Sequence, residues 1–222
     1  MTTTTQNKKT IIVGLGSCGI AAGAQAIYNF FDKAIQEKNL NISLSKTGCI
    51  GMCYREPIIE IKETDNTIVT YENITPEKAE KILEEHIIQN NPVKDFSIDL
   101  KAEKQQGILT KQNRIALRNC GVINPESIDE YIEKDGYKAI EKVVKNTSQD
   151  EVIEEMIKSG LRGRGGAGFT TGMKWRFGKN ASSKKKYMIC NGDEGDPGAF
   201  MDRGLLESDP HSIIEGMLIA AY

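Results

Sequence analysis

The stretch SGLRGRGGAGFTTGMKW, residues 159–175, places six glycines in the thirteen positions from Gly160 to Gly172. Each glycine in regular structure costs about 0.5–1 kcal/mol relative to alanine. A run this dense therefore rules out a helix or strand through its centre and calls for a reason to bring bare backbone against something flat or phosphorylated. Consecutive backbone N–H groups can form a concave anion nest. Arg162, Arg164 and Lys174 add donors matched to phosphate. Gly163, Gly165 and Gly168 satisfy G-x-G-x-x-G, but the dinucleotide fingerprint needs a strand before the glycines. Here EVIEEMIKSG reads as a helix, with Ser148 and Glu151 forming a capping box and Gly160 at the C-cap. A simple NAD-binding Rossmann dehydrogenase would need the missing strand. A Walker loop fails too, because no G-K-[ST] follows. A flexible surface connector is the bland alternative, and the aromatics Phe169, Trp175 and Phe177 argue against it.

The second dense motif is CNGDEGDPGAFMDR, residues 190–203. It follows KKKYMIC, which reads as a charged run entering a buried strand, and open α/β sheets place ligand sites beyond such strands. Asn191, Asp193, Glu194 and Asp196 crowd three carboxylates and an amide into six positions, a repulsive arrangement unless a ligand or cation offsets it. A solvated acidic loop or a bare Mg²⁺ or Ca²⁺ site are the alternatives, and the spacing is not that of an EF-hand.

The front of the chain has another pattern. TIIVGLG reads as a buried strand. From Cys18 to Glu37 the apolar residues recur at helical spacing. NISLSKT is a short strand, PIIEIKE and NTIVTYE form a hairpin about Glu63–Asn66, and Thr75–Pro76 starts a helix lined by Ala79, Ile82, Leu83 and Ile87. The order β-α-β-β-β-α makes residues 9–95 a small α/β unit, residues 96–120 a polar linker and residues 121–222 a second domain. Within the latter, helices are expected at Pro125–Glu133, Tyr137–Lys145, Asp150–Lys158 and from Asp209–Pro210 onward. The chain stops inside that last helix, so the expectation is the front part of a longer protein.

With 222 residues, a net charge of −2 and no apolar run near the roughly 20 residues a bilayer needs, the chain reads as soluble and cytoplasmic, with no nucleic-acid or direct membrane partner. Five cysteines in a reducing compartment point to metal binding, catalysis or burial rather than disulfides. Cys120 and Cys190 are expected as small core residues. His211 is expected in a local hydrogen bond.

SGLRGRGGAGFTTGMKWRF together with YMICNGDEGDPGAFMDRGLLESDPHSIIEGMLIAAY closely resembles the flavin-bearing, NADH-oxidising subunit of respiratory complex I. It is closer still to its relatives in NAD(P)-reducing, electron-bifurcating hydrogenases and formate dehydrogenases. The resemblance runs from QNRIALRNCGVINPESIDEYI to the last residue. It implies a Rossmann-like α/β FMN-binding domain, of which this chain holds the beginning. By position, Gly163, Arg164, Gly165, Gly166, Gly168, Lys174, Asn191 and Asp193 would contact FMN. Phe169 and Phe177 would stack near the adenine of NADH, and Glu194 and Asp196 would face the nicotinamide ribose. The complex I form usually has Glu where Asp196 stands. No side chain is assigned as catalytic, because the bound flavin carries out the hydride transfer.

Cys49 and Cys53 in TGCIGMC, with Cys18 in GSCGIAAGA, resemble the thioredoxin-like [2Fe–2S] ferredoxin domain often fused ahead of that subunit. Such a cluster takes four thiolates. Three are present; the cysteine expected near Val13 or Gly14 is missing, and Ser17 is a poor substitute. A bound cluster and an atypical or empty site both remain open, as does a zinc site completed by His86.

The resemblance implies an electron-input subunit. It would transfer hydride between NADH or NADPH and FMN and pass single electrons to iron–sulfur subunits of a hydrogenase, formate dehydrogenase or complex I-like assembly. A [4Fe–4S] cluster is expected only in the part beyond residue 222. The alternative from a different class is a non-catalytic iron–sulfur or docking module with an empty flavin site.

Overall fold

The computed structural model describes residues 8–98 and 112–222. The first residues of MTTTTQNKK and most of the expected linker, residues 99–111, lie outside the described residues. Two compact units are formed. One holds the chain up to Ser127 together with Gly198–Asp209, and the other holds Ile128–Pro197 with Pro210–Tyr222.

The first unit is built on a five-stranded sheet of order β2-β1-β3-β4-β5. Its strands are β1 (Thr10–Gly14), β2 (Ser43–Thr47), β3 (Ile59–Lys62), β4 (Ile68–Tyr71) and the two-residue β5 (Ser97–Ile98). β1 and β2 run parallel in the register Ile11↔Leu44, while β1–β3, β3–β4 and β4–β5 are antiparallel. β3 alternates buried Ile59 and Ile61 with half-buried Glu60 and Lys62, the period-two pattern of a strand with one face on a core. Against that face pack Ile27, Phe31 and Ala34 of helix α2 (Ala24–Glu37) and Ala79, Ile82, Leu83 and Ile87 of the helix opening with α3 (Pro76–Lys81). Thr75 Oγ1 accepts the Lys78 N–H at 3.3 Å, and Pro76 occupies the first turn, as the sequence implied. The single helix expected from Cys18 is broken in two. α1 (Ser17–Ala21) ends before Gly23, whose φ of +102° redirects the chain into α2.

His86 is buried in this core. Its Nδ1 lies 2.7 Å from the Tyr71 hydroxyl and its Nε2 2.9 Å from Glu63 Oε1, while Tyr71 Oη accepts the Val93 N–H at 3.1 Å. Both ring nitrogens are thus engaged within the helix–sheet layer, which overturns His86 as a zinc ligand. Burial lowers the pKa of His86, Lys9 adds to that, and Glu63 opposes it.

The second unit holds α4 (Ile128–Glu133), α5 (Lys138–Asn146), α6 (Gln149–Lys158), α7 (Thr171–Asn180) and α9 (Pro210–Ala221); α8 (Met201–Ser208) belongs to the first. The Ser148–Glu151 capping box forms at the start of α6. α7 packs closely on α6, since a Cβ on Gly172 would fall 2.6 Å from Ile157 N. Glu215 of α9 accepts the Tyr131 hydroxyl at 2.5 Å and the N–H groups of Tyr137, Ala139 and Ile140 at 2.9–3.2 Å. Burial raises its pKa, but these four donors outweigh burial and leave it lowered. His211 meets the Tyr137 hydroxyl at 2.9 Å, the local bond expected of it. The strand expected at KKKYMIC does not form. Among the described residues the only bridge of this unit is Arg162 with Thr170, and residues 184–190 have no ladder partner to satisfy a strand. Cys190, expected in a core, is consequently exposed, whereas Cys120 is buried as expected.

The His86 pocket gives a pH dependence. A folded-state pKa below the ordinary 6.5 means the unfolded chain binds the extra proton first. The contribution is complete above pH ~6.5 and is lost as pH falls from there toward the folded value. Urea unfolding at about pH 7.5 and 5.5 should show the wild type losing more stability on acidification than His86→Gln. Equal losses would show that the ring is not held neutral.

Candidate functional site

Parallel pairing of β1 with β2 sends both strands toward the same end of the sheet, and the Leu15 N–H to Thr47 O bond of 2.8 Å extends that ladder by one step. The loops that follow are 15–18 and 48–53. They bring three thiols together: Cys18 Sγ is 3.9 Å from Cys49 Sγ and 3.1 Å from Cys53 Sγ, and Cys49 and Cys53 are 3.6 Å apart. Among the described residues this is the one group of three or more Cys, His, Asp or Glu side chains converged tightly enough to hold a metal. Cys18 and Cys49 are half-buried and Cys53 is exposed, so the group sits at the protein's edge. Burial pushes the Cys49 thiol up. It pushes Cys53 to about 12, with Cys18 and Cys49 adding to the rise. Binding a cation at Cys49 and Cys53 would release their protons.

The supporting residues were not legible in the sequence. Arg114 donates to Ile50 O at 2.6 Å and steadies the loop between Cys49 and Cys53. Glu207 accepts the Ser17 N–H at 2.9 Å through Oε2 and the Ser17 hydroxyl through Oε1. Gly51 donates its N–H to Cys49 Sγ at 3.2 Å. At the position expected for the fourth cysteine, Val13 is wholly buried in the core. A Cβ on Gly14 would face Glu56 Oε2 at 3.4 Å. Ser17 is tied to Glu207 rather than turned to the thiols. The donor set consists of thiols alone, the ligand type of a ferredoxin [2Fe–2S] cluster, and fills three of its four cysteine positions.

In the second unit the glycine run opens a cleft of about 940 Å³, lined by Gly163, Gly165, Gly168, Phe169 and Lys174 among the expected ligands. Trp175, one of the aromatics marked in the sequence, also lines it, and Val152, Ile153, Lys179, Lys185 and Lys186, which were not singled out, complete much of its wall. Gly166 and Gly168 adopt φ of +101° and +61°, and a Cβ on Gly165, Gly166 or Gly168 would meet no atom within 4 Å. The bare backbone thus faces open space, and the cleft is within the range of small-molecule sites. Phe169 and Phe177 are both more than half exposed, with ring centroids 6.2 Å apart, although Phe177 does not line the cleft itself. Arg164 and Gly166 are exposed beside it. Asn191, Asp193, Glu194 and Asp196 do not line the cleft; Asn191 Oδ1 instead accepts the Asp193 N–H at 3.0 Å in a local turn.

Two separate stretches of the chain match known families. Residues 2–86 match the thioredoxin-like [2Fe–2S] ferredoxin family, and residues 156–222 match the Nuo51 FMN-binding domain. The chain is 56% identical over 112 residues to the NADP-reducing hydrogenase subunit HndC of Solidesulfovibrio fructosivorans, covering 50% of this chain and 22% of that protein. It is 47% identical over 108 residues to a subunit of the NADH-quinone oxidoreductase of Rhizobium meliloti (strain 1021), covering 49% of this chain and 26% of that one. A solved structure, the wild-type thioredoxin-like [2Fe–2S] ferredoxin of Aquifex aeolicus, superposes with a TM-score of 0.37 at 21% identity over 42% of this chain and 98% of its own. The resemblances read from the two halves of the sequence are borne out, and the matched stretches span about a quarter or less of the curated relatives' length.

The thiol triad is tested by single replacements. Cys18→Ser, Cys49→Ser and Cys53→Ser should each cut the iron retained after anaerobic reconstitution with Fe²⁺ and sulfide, while Cys120→Ser and Cys190→Ser leave it unchanged. Full iron in any one of the first three variants would remove that thiol from the site.

Proposed function

We propose that this chain, a thioredoxin-like [2Fe–2S] ferredoxin domain joined to residues of an Nuo51-type FMN-binding domain, is the electron-input part of a multi-subunit NAD(P)H-oxidising flavoprotein. We take the ferredoxin-type domain as residues 9–95 and the flavin domain as beginning near 121. FMN held in this domain would supply acceptance of hydride from NADH or NADPH and release of single electrons, the chemistry an iron–sulfur chain needs. The observation that carries the reading is the presence, on one chain, of a converged thiol triad and a glycine-walled cleft, each inside a stretch that matches the corresponding cofactor-binding family.

The protein's own part is placement. The N–H groups of the 163–168 backbone, with Arg164 and Lys174, supply donors for a phosphate and let an isoalloxazine ring lie close to bare chain. Phe169 and Phe177 offer exposed faces for an adenine. Asn191, Asp193, Glu194 and Asp196 would serve the flavin and the nicotinamide ribose after the 190–197 loop moves onto the cleft. Cys18, Cys49 and Cys53 would hold the [2Fe–2S] cluster. Partners are iron–sulfur subunits of a hydrogenase, formate dehydrogenase or complex I-like assembly. The location is the cytoplasm; no described helix is long and apolar enough to cross a membrane.

One observation favours the second reading, a docking module with an empty flavin site: the acidic loop stands outside the cleft. Absorbance separates the two. The protein purified without oxygen and supplied with FMN should show a flavin band that NADH or NADPH bleaches. Iron–sulfur absorption with no flavin retained would leave only the docking reading. Lys174→Ala should weaken FMN binding roughly tenfold, the loss of one charge-assisted hydrogen bond worth about 1.4 kcal/mol. Unchanged affinity by fluorescence quenching would place the phosphate elsewhere.

A further inference from the structure

Helix α8 lies within the stretch that matches the FMN-binding family, yet its C-terminal end is buried in the first unit beside the cysteine loops. Ser208 and Asp209 are fully buried. Asp209 Oδ2 accepts the Asn119 side-chain N–H at 2.8 Å, and Asn119 is itself buried. A Cβ on Gly48 would lie 2.6 Å from Ser208 Cα, so the loop entering Cys49 has no room for a side chain where the helix end rests on it. This anchoring fixes Glu207, the residue before, at a defined place.

That place is against the segments that carry the cysteines. Glu207 holds Ser17, the neighbour of Cys18, by both its N–H and its hydroxyl. On the other side, the point where a Cβ of Gly16 would sit is 3.3 Å from Cys49 Cβ and 3.5 Å from Glu207 Oε2. The carboxylate therefore bonds the segment that carries Cys18 directly and lies no farther from Cys49 Cβ than the sum of those two distances. Arg203 Nε stands 3.9 Å from Glu207 Oε1, but that side chain is half exposed and water screens it, so it offsets the carboxylate only partly. Arg114 is the cation on the opposite loop, at Ile50 O.

We propose that Glu207 is a positioning residue for the cysteine site: it fixes the Cys18 segment through Ser17 and sets a negative charge beside the thiolates that lowers the reduction potential of the cluster they hold. The proposal rests on the iron–sulfur reading above. Reducing the cluster adds an electron to a site that already carries thiolate charge, and a neighbouring carboxylate makes that addition harder, because net charge and hydrogen bonding tune such potentials. Because the carboxylate comes from the flavin-matching stretch, the potential of the ferredoxin-type centre depends on α8 staying docked.

The test is an EPR-monitored redox titration of the whole protein purified without oxygen, with iron and sulfide counted for each variant. Glu207→Gln, with unchanged iron, is expected to shift the midpoint potential upward. Glu207→Asp, which keeps the charge, should return it toward the wild-type value. Should Glu207→Gln fail to fold, Arg203→Gln on the exposed flank reads the same field with the opposite sign, a downward shift. A potential that stays at the wild-type value in the folded variant, with iron retained, overturns the proposal while leaving the cluster in place. Wild-type protein holding no iron or sulfide overturns the cluster reading itself, and this proposal with it.

Discussion

The parallel pairing of β1 with β2 is the constraint on which the thiol site depends. Antiparallel neighbours would put Cys18 and the 49–53 loop at opposite ends of the sheet. Running the two strands side by side in the register Thr10↔Ser43 delivers both loops to one end, and a single further hydrogen bond, Leu15 N–H to Thr47 O, holds them there. Ligand sites beyond the carboxyl ends of parallel strands follow from the same geometry in open α/β sheets. Here the connection must also cover the sheet, which α2 does by burying Ile27, Phe31 and Ala34 in the core. The site therefore draws its precision from the core: a register slip of one residue in β2 would turn its inward face outward and move the 48–53 loop with it.

Much of this first unit was legible because its signals are local. The β-branched run at Thr10–Gly14, the period-two pattern of Ile59–Lys62, the Asn66 turn with φ of +68° and the Thr75–Pro76 helix start each carry their own stereochemistry. The cysteine spacing was legible as a donor set, and the structure converges the three thiols. The residues around it were not legible. Arg114 and Glu207 lie 64 and 190 positions from their partners Ile50 and Ser17, and no periodicity encodes such contacts.

The second unit shows where local reading runs out. Helix α7 opens on Thr171 and Gly172, which disfavour a helix; a close approach to α6 at Gly172 supports it. α8 begins directly after a glycine- and proline-rich loop and has no side-chain cap, so nothing in the sequence announced it. At residues 184–190 the error ran the other way. An apolar run after three lysines suggested a buried strand, but a strand needs a partner for its backbone groups, and none stands beside it among the described residues. The exposure of Cys190 is a direct consequence.

The glycines of the two units answer to different physics. Gly48 is excluded from carrying a side chain by a neighbour already in place, the end of α8, so its requirement is steric and internal to the fold. Gly166 has no neighbour within reach of a Cβ; its requirement is the φ of +101°, which an L side chain rarely adopts. Glycine takes up that region at no steric cost, so the loop can turn there with nothing packed against it. The loop's open face and its conformation thus point the same way. The thiol loops are shaped by what the protein packs against them, and the glycine run by what it leaves clear.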